Sequence, residues 1–314
     1  MPDSTRFVGI DVAMGKLDVY VHPSGEAFAV PNSTAGVERL VDHFGTGTVI
    51  ALEASGGYER TAAEGLAAAG LSVFCLHPAD VRAFARLQGK RAKTDRIDAA
   101  LIARAAQVAV TSRKPYRARP AAAEVKEMAA CRRLLHNQLA ALKGQITRLA
   151  TETMRGILTQ QIATLETDIR RIDQAMAQSI AQDPALRENA RRIQTAPGAG
   201  PVLAATLVAY LPELGTLTSR QAASLTGVAP HPRQSGNSRL RGRCQAGRAP
   251  VRAVLYMATL AAIRSKSSHL RAVFERLKAN GKPFKLAMVA AMRKFIVMLN
   301  AMLKHQQDWK NQAT

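Results

Sequence analysis

The chain has 314 residues, 47% of them hydrophobic, and a formal charge of +21. That charge would make it repel itself unless it met a polyanion, and nucleic acid is the obvious one; the hydrophobic content excludes a disordered basic tail. The length exceeds one comfortable core, so two or three domains are expected.

In chain order, RFVGIDVA (6–13), KLDVYVH (16–22) and EAFAVPN (26–32) are β-branched runs separated by short turns, which predicts three antiparallel strands. TAGVERLVDHFG follows with helical spacing, Thr34 as its cap and Gly45 as its stop. GTVIALEAS reads as a buried strand, GYERTAAEGLAAAG as a helix closed by Gly70, and LSVFCLHP as a further strand. This is the element order of the α/β ribonuclease H architecture, which carries acids at the carboxyl ends of its first and fourth strands. Asp11 and Glu53 stand at those ends. Asp95 and Asp98 follow in GKRAKTDRIDA, spaced three apart and so on one face of a helix.

Each acid alone reads as solvated or structural. Four carboxylates brought to one spot, however, repel, so either their pKa values rise or divalent cations sit among them. An all-carboxylate set selects magnesium or manganese over zinc, and two such ions about 4 Å apart clamp the attacking and leaving oxygens of a phosphodiester. Lys90, Arg91, Lys93 and Arg96 surround the last two acids, and residues 80–120 hold eleven Lys or Arg against three Asp. Such density grips a phosphate backbone without reading sequence.

Residues 121 to about 187 carry apolar positions at 135, 139, 142, 146 and 149, then at 158, 162, 165, 169, 172 and 176. These alternating steps of three and four are a heptad signature. The phase breaks near TMRG, which predicts an antiparallel coiled-coil hairpin turning around Arg155 and Gly156, either an intramolecular spacer or a dimerisation arm. From residue 190, the PGAG turn before PVLAATLVAYL resembles a helix-hairpin-helix that offers a helix amino terminus to a phosphate; a tight turn between packed helices uses the same residues. SRQAASLTGVAP is a helix ended by Gly227 and Pro230.

HPRQSGNSRLRGRCQAGRAPVR (231–252) has six arginines and no acid and reads as a Gly-rich basic loop. Arg233, Arg239, Arg241, Arg243 and Arg248 are its candidate phosphate contacts. Ser235, taken by itself, is a turn residue; Ser238 is a rival hydroxyl and His231 a candidate base, while Tyr210 and Tyr256 look like core. The tail predicts three helices with a turn at Gly281 and Pro283. No apolar run approaches a membrane span. Cys75, Cys131 and Cys244 lie far apart with no CxxC spacing, so a reducing cytosol is expected.

GIDVAMGKLDVYV, ALEASGGYE and KTDRIDAALIA resemble, in order and spacing, the amino-terminal DEDD domain of the IS110 insertion-sequence transposases, a domain similar to the Holliday-junction resolvase RuvC. QSGNSRLRG followed by AGRAPVRAVLYMATL looks like the carboxy-terminal transposase domain of the same family. Cys244 and Ala246 depart from the β-branched or aromatic residue and the Gly pair usual there. The resemblance implies three domains: a RuvC-like domain over 1–115, a coiled-coil hairpin over 116–188 and a mainly α transposase domain over 189–314. It implies that Asp11, Glu53, Asp95 and Asp98 are catalytic and hold Mg2+ or Mn2+, and that Ser235 is the nucleophile of a covalent phosphoserine intermediate.

The implied activity is site-specific recombination of an insertion sequence, on donor and target DNA, guided by an element-encoded noncoding bridge RNA. The implied assembly is a homodimer or homotetramer in the bacterial cytosol, with the acids of one subunit meeting the serine of another. Lack of a recognisable base-reading motif suits a protein whose RNA reads the sequence. Two other readings need fewer of these residues. A metal-dependent structure-specific nuclease needs the four acids but not Ser235, and a nucleic-acid packaging protein needs only the charge.

Overall fold

The computed structural model describes residues 6–45, 47–89, 95–117, 120–235, 238–244, 247–265 and 269–309. Two compact units divide the chain, one up to residue 119 and one from residue 120.

The first unit is mixed α/β. Strands β1 (Phe7–Val12), β2 (Lys16–His22) and β3 (Ala27–Pro31) form an antiparallel meander, followed by α1 (Thr34–His43), β4 (Val49–Glu53), α2 (Arg60–Ala68), β5 (Ser72–Leu76), α3 (Pro78–Leu87) and α4 (Asp95–Ser112). The sheet order is β3-β2-β1-β4-β5, with β4 parallel to both β1 and β5, which is consistent with a ribonuclease H-like arrangement. Alternation along the strands builds two apolar layers. Val8, Ile10, Val12, Leu17, Val19, Ile50 and Leu52 pack with Val37, Leu40, Ala63 and Leu66 of α1 and α2. On the other face Val49, Ala51, Phe74 and Leu76 meet Ile102, Ala105, Ala106 and Ala109 of α4.

The alanine-rich α4 lies very close to the sheet. A Cβ on Gly9 of β1 would collide with the backbone of Ala99 and Ala103, so glycine here sets the seat of the helix.

Two local expectations change. The cap of α1 is Ser33, whose hydroxyl accepts from Gly36 N, and not Thr34; the extended residue is the one free to turn its side chain onto the first helical turn. Helix α3 was not foreseen: its apolar face is short, and its start signals are Pro78 and the ring of His77, whose Nδ1 accepts from Ala79 N.

The second unit is mostly helical. Helices α5 (Pro120–Ile146) and α6 (Glu152–Gln182) form an antiparallel pair, joined by Glu124–Ser179, Arg132–Asp173 and Lys143–Glu166 contacts. The apolar stripe read from the sequence occupies the buried or half-buried positions of both helices. The turn spans 147–151, earlier than Arg155 and Gly156, which lie in the first turns of α6. Arg155 Nε donates to Leu149 O at 2.8 Å, closing a turn that contains neither glycine nor proline.

After the pair come α7 (Pro184–Gln194), α8 (Pro201–Tyr210), α9 (Ser219–Thr226), a hairpin of β6 (Pro230–Ser235) and β7 (Ser238–Cys244), α10 (Ala249–Arg264), α11 (His269–Ala279) and α12 (Phe284–Lys304). Helix α8 is apolar all round and buried, as such a helix must be. No break falls near residue 188: Val125, Met176 and Ile180 of the long pair share one core with Leu203, Leu207, Leu255, Phe295 and Leu299, and so the pair groups with the helices that follow it.

Contrary to the sequence expectation, α12 is long and apolar enough to cross a membrane by length and composition. Only Arg293 and Lys294 interrupt its central run, and its Met288, Met292, Phe295, Ile296 and Leu299 are core residues of this unit. Its buried Asn300 is fully used, accepting from Gly215 N and donating to Leu217 O. Tyr256, expected as core, is 37% exposed on α10.

Candidate active site

The acids of the first unit are placed by register. Ile10 of β1 pairs with Leu52 of β4 in parallel, so Asp11 and Glu53, one residue further on each, reach the same carboxyl end on the same face. That face is the α4 face, since Val49 and Ala51 alternate with Glu53 and belong to the α4 layer. Helix α4 runs antiparallel to β1: Ala99 and Ala103 cover Gly9, while Ala105, Ala106 and Ala109 lie in the layer against which Phe7 packs. Its first turn is therefore carried toward Asp11, and Asp98, half-buried, immediately precedes the Ala99 contact. Three of the four expected acids thus share one edge of the sheet. Asp95 is the first residue of α4 and its side chain lies outside the described residues, as does that of Arg96. Lys90, Arg91 and Lys93 lie outside the described residues altogether. Among the described residues, no three His, Cys, Asp or Glu side chains form a group that could hold an ion.

A fifth carboxylate joins them that sequence reasoning passed over. Asp18 of β2 sits directly across from Asp11 in the antiparallel register. Two like charges in such a pair are destabilising unless compensated, and Lys16 Nζ lies 2.9 Å from Asp18 Oδ2. The signal was available: a short turn between KLDVYVH and the strand before it fixes which residues face each other.

In the second unit, the segment read as a basic loop is a hairpin. Its backbone pairs Pro230 with Cys244, His231 with Arg243, Arg233 with Leu240, Gln234 with Arg239 and Ser235 with Ser238, with an irregularity between His231 and Arg233. Ser235 therefore closes the first strand, one step before the tip. The side chains of Ser235, Ser238, His231, Arg233, Arg239, Arg241 and Arg243 lie outside the described residues.

The base of the hairpin is anchored. Before it, Gly227 caps α9 in the left-handed conformation, φ 74°. After it, Gly247 packs against Gly227 so closely that no Cβ fits, and Arg248 N donates to Leu225 O at 2.7 Å. Arg248, expected among the phosphate contacts, has its guanidinium engaged elsewhere: it forms a fork with both carboxylate oxygens of Glu213 (2.7 and 2.8 Å) and donates to Tyr210 O at the end of α8.

The PGAG turn also has a packing reason. A Cβ on Gly198, at φ 82°, would lie 2.5 Å from Ala258 O and 2.7 Å from Ala262 N of α10. Tyr210 is a poor rival nucleophile, because burial pushes its phenol above the ordinary value and its hydroxyl donates to Lys126 O.

A family model described as transposase, for the DEDD domain of IS110 elements, matches residues 8–155, and one described as the transposase IS116/IS110/IS902 family matches residues 190–275. The chain belongs to the IS110 transposase family. As an IS110-family member it is a DNA transposase/recombinase. It is 24% identical over 318 residues to the pilin gene-inverting protein of Moraxella bovis and 24% identical to that of Moraxella lacunata, each alignment covering 98% of both chains. The first match of this transposase contains Asp11, Glu53, Asp95 and Asp98, and the second contains Ser235 and its hairpin.

Proposed function

We propose that this transposase is the site-specific recombinase of an insertion sequence, and that the acids of one subunit act with Ser235 of another. The observation that carries the reading is the placement of Asp11 and Glu53 on one face at one sheet edge, with the first turn of α4, which bears Asp98, carried over the same face. With Asp95 they would supply an oxygen-only donor set suited to Mg2+ or Mn2+ once drawn together around the ions, and the unit then reads as RuvC-like. When bound, such ions supply Lewis-acid stabilisation of the phosphodiester oxygens.

The chain's own residues do the rest. The Ser235 oxygen forms a bond to phosphorus while the bond from phosphorus to the departing strand oxygen breaks, with His231 as the candidate acceptor of the serine proton and the departing oxygen leaving protonated as a hydroxyl. A hydroxyl from the new strand then displaces Ser235, which recovers its proton. No bond energy is lost between the two steps, so rejoining needs no nucleotide. Arg233, Arg239, Arg241 and Arg243 stabilise the charge that develops on phosphorus, and Lys90, Arg91, Lys93 and Arg96 hold the flanking backbone.

Guidance by an element-encoded noncoding bridge RNA belongs to the same reading. So does assembly as a dimer or tetramer through a coiled-coil arm. Leu134, Met154 and Ile157 of the long pair are 57%, 48% and 48% exposed, which supports a further partner for the pair. Acting on DNA, the protein works in the bacterial cytosol.

The test is reconstitution with magnesium, donor DNA, target DNA and the element's noncoding RNA, with product junctions sequenced. The reading expects precise junctions only when the RNA is present. Hydrolysed ends without junctions would favour a nuclease of the resolvase type.

A further inference from the structure

The two acid-bearing strands β1 and β4 each run out into a loop, and one side chain reaches both loops. Asn32, just after β3, donates through Nδ2 to Ala13 O at 2.9 Å and to Tyr58 O at 3.0 Å. Ala13 lies two residues beyond Asp11, and Tyr58 lies in the segment that joins Glu53 to α2. The backbone N–H of Asn32 donates to Gly15 O at 3.2 Å, which fixes the β1–β2 turn from a third side.

The loop after β4 is also braced from within. Glu59 Oε2 accepts from Ser55 N at 3.0 Å and Gly57 N at 2.9 Å, so its glycines, at φ 77° and 117°, are folded around one carboxylate. Asn32 is itself held in place: a Cβ on Gly36 of α1 would collide with Pro31 O, so the close seat of the helix backbone on residue 31 leaves its neighbour little freedom.

The amide suits its place. Two carbonyl oxygens converge on one nitrogen, and the two N–H donors of Asn32 serve both without bringing a cation beside the acids. An aspartate would set its own oxygens against them. The other end of the amide, Oδ1, is buried with no hydrogen-bond partner among the described residues, so the side chain is kept by its donors alone. A buried acceptor left in that state costs stability, and a surface loop has no use for the expense.

We infer that Asn32 is a positioning residue of the transposase: its amide ties the loop after β1 to the loop after β4 and so sets the separation of Asp11 and Glu53 for divalent-ion binding. The inference rests on the metal-holding role of those acids stated above. Groups bonded directly to metal ligands typically change ion affinity by about ten- to a hundredfold when removed, and Asn32, which acts through the backbone of the two loops, belongs at the lower end of that range.

The experiment is titration calorimetry of Mn2+ into the full chain, without nucleic acid, for wild type, Asn32→Ala, Asn32→Asp, Ser33→Ala and Asp11→Asn, with thermal unfolding of each. Amide hydrogen exchange of residues 13–16 and 55–59 is followed in the absence of metal. Ser33→Ala removes the α1 cap without touching the clamp, and so reports what loss of stability alone does. The clamp predicts that Asn32→Ala binds Mn2+ on the order of tenfold more weakly, that Asn32→Asp is no better, that both loops exchange faster in each, and that Ser33→Ala binds as wild type. Mn2+ affinity unchanged in Asn32→Ala, while Asp11→Asn loses binding, overturns the clamp and leaves the acid site standing. Equal Mn2+ binding by wild type and Asp11→Asn overturns the acid site and the clamp with it. A fall in Ser33→Ala as large as that in Asn32→Ala reduces Asn32 to a stability effect and also overturns the clamp.

Discussion

The acids of the first unit and the serine of the second are held in different ways. Parallel register brings Asp11 and Glu53 level at one sheet edge, Asn32 ties the loops that follow them, and the fit of α4 over Gly9 carries the turn bearing Asp98 toward that edge. Ser235 ends the first strand of a two-stranded hairpin whose described anchors lie at its base, at Gly227, Gly247 and Arg248. A site that must gather like charges needs a rigid frame, since carboxylates separate wherever the chain lets them. A nucleophile that must meet a phosphate brought by another molecule can be carried on an arm. The contrast teaches that damage to the first half should act through geometry, whereas damage to the second should act through the serine itself or through its anchor.

The sharpest way to break this contrast is to remove one functional atom from each half. Asp11→Asn and Ser235→Ala should each lower recombination by more than about a thousandfold, as loss of one member of a cooperating set does, with nucleic-acid binding nearly unchanged in a gel-shift titration. Loss of binding in either variant would show that the residue holds the fold or the backbone and not the reaction.

Next in size is a packing change confined to the helical unit. Phe295 is fully buried at the centre of the second core, and Phe295→Ala should cost about 3–5 kcal/mol in chemical denaturation. If the two units unfold separately, only the later or earlier of two transitions moves; a single transition that shifts as a whole would show the units to be coupled in stability.

Arg248→Ala tests the anchor. Its fork with Glu213 is partly exposed, so the stability lost should be about 1–2 kcal/mol. The salt dependence of nucleic-acid binding should stay as in wild type, because the guanidinium is already engaged. Arg91→Ala, by contrast, should lower the slope of log affinity against log salt by about one. A reduced slope in Arg248→Ala would return that residue to the phosphate contacts.

The smallest effect lies at the carboxy-terminal end of the second unit. Asp308 makes a fork with Arg191, and hydrogen bonding to that guanidinium holds its carboxyl below the usual carboxylate range. A carboxyl depressed in the folded state stabilises it above the ordinary carboxylate value, and that contribution is lost as pH falls through the depressed value. The gap in Tm between wild type and Asp308→Asn should therefore be level near neutral pH and close in acid. A gap that persists in acid would assign the effect to packing around Trp309, whose ring meets Phe295 edge-on.

Much of the acid half was legible in the sequence, because its strands are β-branched runs with sharp turns, and a two-residue period forces the faces of Asp11 and Glu53. Asp18 was overlooked since its place depends on register across a turn and not on any motif. The serine half was harder. PHPRQS and SRLRGRC hold almost no β-branched or aromatic residues, so propensity argued for a loop. The usable signal was that PHPRQS and SRLRGRC stand two residues apart, a spacing that suits two paired antiparallel strands. The turn of the long helical pair was misplaced because 147–151 contains no helix breaker, and Arg155, read as the bend, reaches back to close it. Asn32 was invisible from sequence, since a side chain that ties two distant loops leaves no local pattern.

The central claim is that one reaction uses the acids of the first unit and the serine of the second. It is tested most directly by incubating the full chain with magnesium, its element's noncoding RNA and end-labelled donor-junction DNA, then resolving the products on a denaturing gel for wild type, Ser235→Ala and Asp11→Asn. The account predicts a covalent protein–DNA adduct in wild type that disappears in both variants. An adduct that survives Ser235→Ala, or cleavage to free ends with no adduct in wild type, would contradict it.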